Sequence, residues 1–268
     1  MSAFTVRDMR PQDEAFVSTC SHVGESQEID DCARERRHLF NSLRAQGASF
    51  KVAAVGHDLA GFAYGIPIER SPWGPIGESL SVIPCLYVLP PFTSRGIGRA
   101  LIDAIETDAR AAGRSGVTVT AYRGPAGADW FMPATFFERL GYASVAVRAA
   151  EVLLWKPFTD DATPPRQLES RYVFEPVPDA VAVDLFWNAF CPTSAIEARR
   201  VREVCQEFGD RVRLREFQAE QRDILLRHGI PRGIYVNGKH IGWGYEAPKD
   251  GIRDAVQSAL SSNGGEPA

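Results

Sequence analysis

The residues best suited to chemistry in this chain form the stretch TSRGIGRA, from Thr93 to Ala100. An apolar run that predicts a strand, Leu86–Leu89, precedes it, and a helix-like pattern starts at Arg99. Backbone N–H groups in a glycine turn at the start of a helix can hold a phosphate, aided by the positive end of the helix dipole. The stretch therefore predicts a phosphate-binding loop.

Two common phosphate loops do not fit this sequence. A Walker A loop ends in Gly-Lys-Ser/Thr, and the chain contains no such run. A dinucleotide fingerprint needs Gly or Ala at position 101, where Leu101 stands. It also needs an acidic residue at the end of the following strand, and the run GVTVTAYRG has none. Both ligand classes are excluded.

A second candidate is Cys191, in the run FCPTS between an apolar strand-like segment and a predicted helix. The dipole of that helix favours a thiolate at its start, which suggests thiol chemistry. The alternative is a structural helix start, with Pro192 in the first turn and Ser194 and Glu197 forming a capping box. Cys205 belongs to a different class, because its spacing marks the core face of the helix, together with Ala198, Val201 and Phe208.

Composition limits the class of protein. The net charge of −4 argues against nucleic acid as the main partner, since such proteins carry a basic face. No apolar run approaches the roughly 18 residues of a membrane span, and the N-terminus MSAFTVRDMRPQDEAF lacks a signal-peptide core. We therefore expect a cytoplasmic protein without a membrane partner. Five cysteines without a C-x-x-C pair predict neither a disulfide framework nor a bound metal.

Prolines and charges crowd Lys156–Asp179, which predicts a boundary between two domains. We assign residues 1–158 to the first domain, 159–179 to a linker and 180–262 to the second domain. Hairpins followed by a strand-helix-strand unit predict a mixed sheet in the first domain, hence an α/β (α+β) fold. The second domain shows the order β-α-β-α-β-β-α.

The run LYVLPPFTSRGIGRAL resembles the strand, proline, pyrophosphate loop and helix of the GCN5-related N-acetyltransferase (GNAT) family. The family pattern Gln/Arg-x-x-Gly-x-Gly/Ala falls on Thr93 to Gly98. The hairpin VAAVGHDLAGFAYG and the later run PATFFERLGYASV also resemble family segments. The resemblance covers residues 3–158 and implies a mixed sheet with helices on both faces.

The resemblance implies acetyl-CoA as co-substrate. Amides from Arg95 to Ala100 would cradle its pyrophosphate, and the backbone of Tyr87 and Val88 would pair with the pantetheine arm like an added strand. Arg95 and Arg99 would add positive charge, although Arg99 fits a solvated helix residue equally well. The expected CoA-binding residues are Tyr87, Val88, Thr93, Ser94, Arg95, Gly96, Ile97, Gly98, Arg99, Ala100 and Phe137.

The sequence departs from the family pattern at two positions. Thr93 replaces the usual Gln or Arg, so one phosphate contact loses its charge. Phe137 stands where many members carry a tyrosine that protonates the CoA thiolate, and phenylalanine has no proton to donate. Three alternatives stay open: Tyr122 or Tyr87 donates instead, the thiolate leaves without an acid, or transferase activity is reduced or lost.

The acceptor amine needs a base or a water relay. The candidate bases are Glu69, Glu78 and Glu138, of which we prefer Glu78; a plain surface carboxylate is its alternative role. Cys85 precedes the predicted loop on the central strand and is either an inert buried thiol or an acyl carrier. The expected catalytic residues are Glu78, Tyr122, Cys85 and Cys191.

The second domain resembles thioredoxin-like proteins, in which a strand delivers a cysteine to a helix start. The resemblance covers residues 180–260 and implies a cis peptide at Ile230–Pro231. Ser194 replaces the second cysteine of the usual pair, so Cys191 could form a mixed disulfide but no local one. The two-domain order resembles that of N-acetyltransferases with a YoaP-like domain.

These patterns predict an acetyl-CoA-dependent N-acetyltransferase that acts directly on a small-molecule amine, with a thiol-bearing amine as one alternative acceptor. The competing prediction is a non-catalytic acyl-CoA sensor whose second domain binds thiols or metal ions through Cys191. A homodimer is left open.

Overall fold

The computed structural model describes residues 4–124, 131–243 and 245–263. The chain divides into two compact units. The first comprises Met1–Glu25 and Arg37–Leu168, and the second comprises Ser26–Arg36 and Glu169–Ala268. Both units contain a β-sheet with helices, so the predicted mixed α/β fold class is confirmed.

The first unit is built on an eight-stranded mixed sheet with strand order β1-β2-β3-β4-β6-β8-β7, and β5 pairs with β3 beside this path. Helix α2 (Gln27–Ala45) belongs to this unit from Arg37 onward. The other elements are β1 (Phe4–Asp8), α1 (Glu14–Ser18), β2 (Ser49–Val55), β3 (Asp58–Pro67), β4 (Leu80–Val82), β5 (Leu86–Val88), α3 (Ile97–Ala111), β6 (Gly116–Tyr122), α4 (Ala134–Glu138), β7 (Ala143–Arg148) and β8 (Glu151–Pro157).

The hairpin of β2 and β3 follows the sequence prediction, with its turn between Val55 and Asp58. Successive side chains along these strands face opposite sides of the sheet. One side carries an aromatic cluster in which neighbouring ring centroids lie 4.8 to 5.3 Å apart, formed by Phe40, Phe50, Phe62 and Tyr64. Removing such large apolar side chains from water contributes about 1.5–3 kcal/mol each.

Helix α3 covers the other side of the sheet. Its buried residues recur at helical spacing, as in Leu101, Ile105 and Ala109, and they join small residues of the strands in one buried cluster. Helix α4 contributes Ala134 and Phe137 to the same cluster. We call this side of the sheet the α3 face.

The central strand of the first unit is interrupted. Strand β4 pairs with β3 and, in parallel, with β6. After Ile83–Cys85 the chain continues as β5, which within the described residues pairs with β3 alone. Strands β5 and β6 therefore part from each other beyond β4, close to the start of α3.

The second unit has a four-stranded sheet with order β10-β9-β11-β12, in which β9 and β10 are parallel and the other pairs antiparallel. Its element order matches the predicted β-α-β-α-β-β-α. The elements are β9 (Val181–Trp187), α5 (Pro192–Phe208), β10 (Val212–Gln218), α6 (Arg222–His228), β11 (Gly233–Val236), β12 (Lys239–Ile241) and α7 (Lys249–Asn263).

The early part of α2 also belongs to the second unit. Cys32 packs in a small buried cluster with Ala195 and Ile196 of α5. Two ion pairs join the same helices, Asp31 with Arg199 and Glu28 with Arg200, each at 2.8 Å. Two acidic side chains of α2 are thus held by arginines of α5.

The segment after Leu168 lies against the second sheet. Arg171 N–H donates to the His228 carbonyl (2.8 Å), and the Tyr172 hydroxyl donates to Asp184 (2.6 Å), which is buried in β9. Burial and this hydrogen bond both raise the pKa of the Tyr172 phenol. Gly229 has φ 67°, and a Cβ atom there would lie 1.8 Å from the Glu169 carbonyl oxygen. Only glycine accommodates this approach.

Within the described residues, no helix is long and apolar enough to cross a membrane.

Candidate functional site

The N–H and C=O groups of successive β5 residues point alternately to the two edges of the strand. Leu89 N–H donates to the Ala60 carbonyl at 2.9 Å, and Tyr64 N–H donates to the Cys85 carbonyl at 3.2 Å. Hydrogen-bonded positions recur at every second residue of an antiparallel pair. Tyr87, midway between Cys85 and Leu89, therefore directs its N–H and C=O toward β3.

By the same alternation, Leu86 and Val88 direct their N–H and C=O groups away from β3. Leu86 N–H lies 3.2 Å from the Met132 sulfur, which confirms this direction. These backbone groups of Leu86 and Val88 are the open edge of β5. An extended chain that enters here can pair with the edge as a further strand does.

The open edge leads directly into the start of α3. Gly96 is the N-cap residue with φ 84°, and Ser94 also lies in the left-handed region with φ 60°. No side chain caps this helix end. The amides of the first turn, beginning at Ile97, have no partner within the helix, so they are available to an anion. Ser94, Gly96 and Arg99 are exposed, and Gly98 and Ala100 are half-buried.

Two side chains of the loop are held back on the preceding turn. The Thr93 hydroxyl donates to the Pro90 carbonyl at 3.0 Å. Arg95 donates to the Pro91 carbonyl at 2.9 Å, and its guanidinium lies 5.3 Å from the Phe92 ring centroid. Arg99 projects from the first turn of the helix and is exposed. In this arrangement the cradle consists of backbone amides with Arg99 beside them.

Comparison with known proteins bears directly on this site. Residues 46–144 match the family model described as acetyltransferase (GNAT) domain. The matched segment includes β5, the loop and α3. The predicted resemblance is confirmed for this part of the chain, and no curated protein matches the sequence.

Solved structures similar to this chain match it over the length of one unit. A protein from Desulfovibrio desulfuricans assigned to the GNAT acetyltransferases has 26% identity, covering 58% of this chain and 99% of its own, with TM-score 0.45. The PaiA N-acetyltransferase of Thermoplasma acidophilum, solved with coenzyme A, has 18% identity, 58% and 99% coverage, and TM-score 0.43. A GNAT acetyltransferase of Brucella melitensis, solved with acetyl-CoA, has 20% identity, 61% and 94% coverage, and TM-score 0.41.

Met132 lies in the matched segment, and the sequence analysis did not single it out. Its sulfur accepts from Leu86 N–H on the open edge, and its carbonyl accepts from Tyr122 N–H at 3.0 Å. Met132 thus spans the space between β5 and β6 where the two strands part. It is 3% exposed and has φ 50°, an uncommon conformation for a residue other than glycine. Leu86 lies 46 positions before Met132, so no local pattern marks this role.

Phe137 lies in the core of the first unit. Its side chain is fully buried, with the Phe136 and Tyr142 rings edge-on at 5.1 and 5.6 Å. Of the two tyrosines considered as substitute acids, Tyr122 ends β6 and packs against the buried cluster that contains Met132. Tyr87 pairs with Phe62 across β3, and its ring contacts Phe62 on the aromatic side of the sheet. Of these two tyrosines, only Tyr122 contacts the cluster that contains Met132.

Cys85 and Glu78 lie at opposite ends of the central strand segment. Cys85 is half-buried just before the open edge. Glu78 is exposed before β4, and its neighbour Ser79 accepts from Ser115 N–H at 2.8 Å, beyond the C-terminal end of α3. The 15 residues of α3 span about 22 Å, so Glu78 lies far from the anion-binding end of that helix.

The other two carboxylates considered as bases are engaged in ion pairs. Glu69 accepts from Arg114 at 2.9 Å and from Ser79 N–H at 2.7 Å. Glu138 is paired with Arg123. Within the described residues, no group of three or more His, Cys, Asp or Glu side chains is arranged to hold a metal ion.

Cys191 forms a second cluster, in the other unit. Its sulfur lies 2.9 Å from the Thr193 hydroxyl oxygen, which also accepts from Arg232 at 2.9 Å. The Arg232 guanidinium donates to both carboxylate oxygens of Glu197, at 2.7 and 2.8 Å. Burial alone would lower the pKa of Arg232, but the pair with Glu197 raises it, so the guanidinium stays charged beside the thiol. Cys191 itself is half-buried.

The predicted capping box at the start of α5 is wrong. Cys191 is the N-cap residue and Pro192 the first helical residue, so Ser194 lies three positions too late to cap. The Ser194 hydroxyl instead accepts from Asn188 N–H at 3.1 Å. Glu197 is engaged by Arg232 rather than by the helix end.

The expected cis peptide at Ile230–Pro231 is also wrong, since among the described residues the cis bond is Gly74–Pro75. The trans form is the more stable one by about 0.5–1 kcal/mol for bonds to proline. Asn188 donates to the Pro231 carbonyl at 2.7 Å and accepts from Cys191 N–H at 3.2 Å. The proline segment and the cysteine turn are therefore linked through Asn188. The thioredoxin-like assignment of this unit stays a prediction.

The rate of thiol alkylation should distinguish Cys191 from Cys32 and Cys205. Burial raises the pKa of Cys32 to about 11 and that of Cys205 to about 12, so at neutral pH neither carries a reactive thiolate. We expect iodoacetamide at pH 7 to label the half-buried Cys191 well before Cys32 and Cys205, as measured by peptide mass spectrometry. In urea all three should label alike. Equal labelling rates in the native protein would contradict this prediction.

Proposed function

We propose that this protein is an acetyl-CoA-dependent N-acetyltransferase that transfers the acetyl group directly to the amine of a small molecule. The observation that carries the proposal is the continuity between the open edge of β5 and the uncapped, glycine-led start of α3. This continuity lies inside the segment that matches the acetyltransferase domain. The strand-loop-helix unit therefore has two adjoining sites. The open edge of β5 suits an extended arm, and the start of α3 suits a pyrophosphate.

The backbone supplies most of the proposed contacts with acetyl-CoA. Val88 N–H and C=O on the open edge would pair with amide groups of the pantetheine arm. The amides from Arg95 to Arg99 would hold the pyrophosphate, with Arg99 as the nearest charge. The Ala100 amide is not available, because it donates to the Gly96 carbonyl at 3.1 Å. Arg95 would add to this charge on leaving the Pro91 carbonyl. Tyr87 is left out of this pairing, since its backbone groups face β3 and its ring contacts Phe62.

The open edge also supplies a donor for the reacting carbonyl. Leu86 N–H would donate to the thioester oxygen and stabilise the negative charge that develops as the amine attacks. The C–N bond then forms, the C–S bond breaks, and the amine proton passes to water. Tyr122, which packs against the buried cluster that contains Met132, is the proposed proton donor to the CoA thiolate. Holding amine and thioester together supplies the remaining acceleration.

Calorimetric titration tests the proposal. We expect acetyl-CoA and CoA to bind, and adenosine 3′,5′-bisphosphate and pantetheine to bind far more weakly, because each probe occupies only part of the strand-loop-helix unit. Free CoA release should then be followed with a panel of small amines. No heat from acetyl-CoA at millimolar concentration would refute the proposal. Binding without acetylation of any amine would favour an acyl-CoA sensor.

The Cys191 cluster supports a second candidate function, in which the second unit captures thiol compounds. A charged Arg232 and the start of a 17-residue helix both adjoin the sulfur. Without a second cysteine at position 194, the expected product is a mixed disulfide. Incubation with oxidised glutathione, followed by intact mass, tests this candidate, with Cys191→Ser as control. Unmodified wild-type protein would refute it, and unchanged turnover in Cys191→Ser would separate the thiol from the acetyl transfer.

A further inference from the structure

Met132 occupies the hydrogen-bond position that the proposed thioester carbonyl requires. Its sulfur lies 3.2 Å from Leu86 N, on the open edge of β5. A thioether is a weak acceptor, so a carbonyl oxygen that reaches this amide should replace it. Met132 is therefore in direct competition with the acyl group of an incoming acyl-CoA.

Met132 is also held by a hydrogen bond from β6. Its carbonyl accepts from Tyr122 N–H at 3.0 Å, so its backbone is attached to the end of β6 while its side chain reaches β5. The residue keeps φ 50° although it is not glycine. A residue held in a sparsely populated conformation by its surroundings is a feature of functional positions.

Behind Met132 lies apolar protein rather than solvent. Met132 is 3% exposed and belongs to the buried cluster of the α3 face, whose members include Ala121, Ala134 and Phe137. An acyl chain that extends beyond the carbonyl at Leu86 would run into this side chain and this cluster. Space opened there by a shorter residue would be apolar, and apolar cavities accept hydrocarbon groups.

We propose that Met132 sets the length of the acyl group that this protein accepts, restricting it to acetyl and similarly short groups. The inference rests on the proposed function, since it assumes that acyl-CoA binds along the open edge. It assigns Met132 as a specificity-determining residue, with the side chain moving off Leu86 N–H when a short acyl carbonyl arrives.

Acyl-CoA affinities test the proposal without knowledge of the acceptor. For the wild-type protein we expect hexanoyl-CoA to bind about 30-fold more weakly than acetyl-CoA, and for Met132→Ala we expect this ratio to fall to about 3 or less. Met132→Leu keeps the volume and should keep the wild-type ratio. Met9→Ala removes the other buried methionine of the same unit and serves as a control for stability. An unchanged ratio in Met132→Ala would overturn the proposal.

A measurement on the wild-type protein does not depend on how the variants fold. With methyl-labelled methionine, the Met132 resonance, assigned through Met132→Leu, should shift on addition of acetyl-CoA and much less with free CoA, while Met9 stays unchanged. Equal shifts with both ligands would show that Met132 does not meet the acyl group. Binding of neither ligand would instead refute the proposed function, and the inference with it.

Discussion

Replacing Gly96 by aspartate is expected to weaken acetyl-CoA binding about 100-fold relative to replacing it by asparagine. Gly96 begins α3 with φ 84°, and a Cβ atom at this position meets no other atom within 4 Å. Asn and Asp tolerate this left-handed conformation better than other residues do. The two substitutions have the same size and differ in charge, so their comparison isolates the electrostatic effect.

The expected size follows from the charge on the ligand. A carboxylate about 5 Å from one phosphate charge costs about 3 kcal/mol at an effective dielectric constant of about 20, or about 100-fold in Kd. Aspartate at an N-cap position stabilises a helix. The free energy of unfolding should therefore be no lower in Gly96→Asp than in Gly96→Asn.

Calorimetric titration of both variants at two salt concentrations checks the prediction. The difference between them should shrink as salt rises, because exposed charges are screened. Equal Kd values for the two variants at low salt would show that the pyrophosphate does not lie at the start of α3.

Replacing Phe137 by alanine is expected to lower the free energy of unfolding of the first unit by about 3–5 kcal/mol, because a buried aromatic side chain leaves a cavity. The ring is fully buried, and two further rings form T-shaped contacts with it. Phe136, its half-buried neighbour, provides the matched control, and Phe136→Ala should cost clearly less. Urea denaturation with a probe of the first unit measures both losses.

Phe137→Tyr distinguishes a core position from a catalytic one. In the core, the new hydroxyl is buried without an arranged partner, and we expect a loss of about 1–3 kcal/mol in unfolding free energy with no gain in turnover. A Phe137→Tyr protein that is as stable as the wild type and acetylates faster would show that this side chain reaches the thioester. That result would also place the proton donor at position 137 instead of Tyr122.

Local patterns were sufficient for much of the first unit. The turn between β2 and β3, the strand before the loop and the helix after it all follow from glycine placement and from apolar periodicity, which depend on neighbouring residues. The anion-binding start of α3 is equally local, because Gly96 and the helix it leads are consecutive. The family resemblance drew on the same short stretch, and the match over residues 46–144 confirmed it.

Local patterns failed where one signal allowed two arrangements. The sequence Pro-Thr-Ser suggested a capping box at Ser194, but Pro192 begins the helix and moves the N-cap back to Cys191. The bonds that engage Ser194 and Glu197 come from Asn188 and Arg232. Arg232 lies 35 positions after Glu197, beyond the reach of any helix-start rule.

The sequence by itself therefore determined the strand-loop-helix unit and the order of elements in both units, since these follow from residues close together in the chain. Only the tertiary structure decided which backbone groups of β5 stay open, because that depends on the register with β3. It also placed Phe137 in the core and Glu78 at the far end of the central strand. Met132 shows the limit most clearly, as its sulfur meets Leu86 across 46 positions of sequence. Contacts of this kind arise when the sheet closes, and no local pattern encodes them.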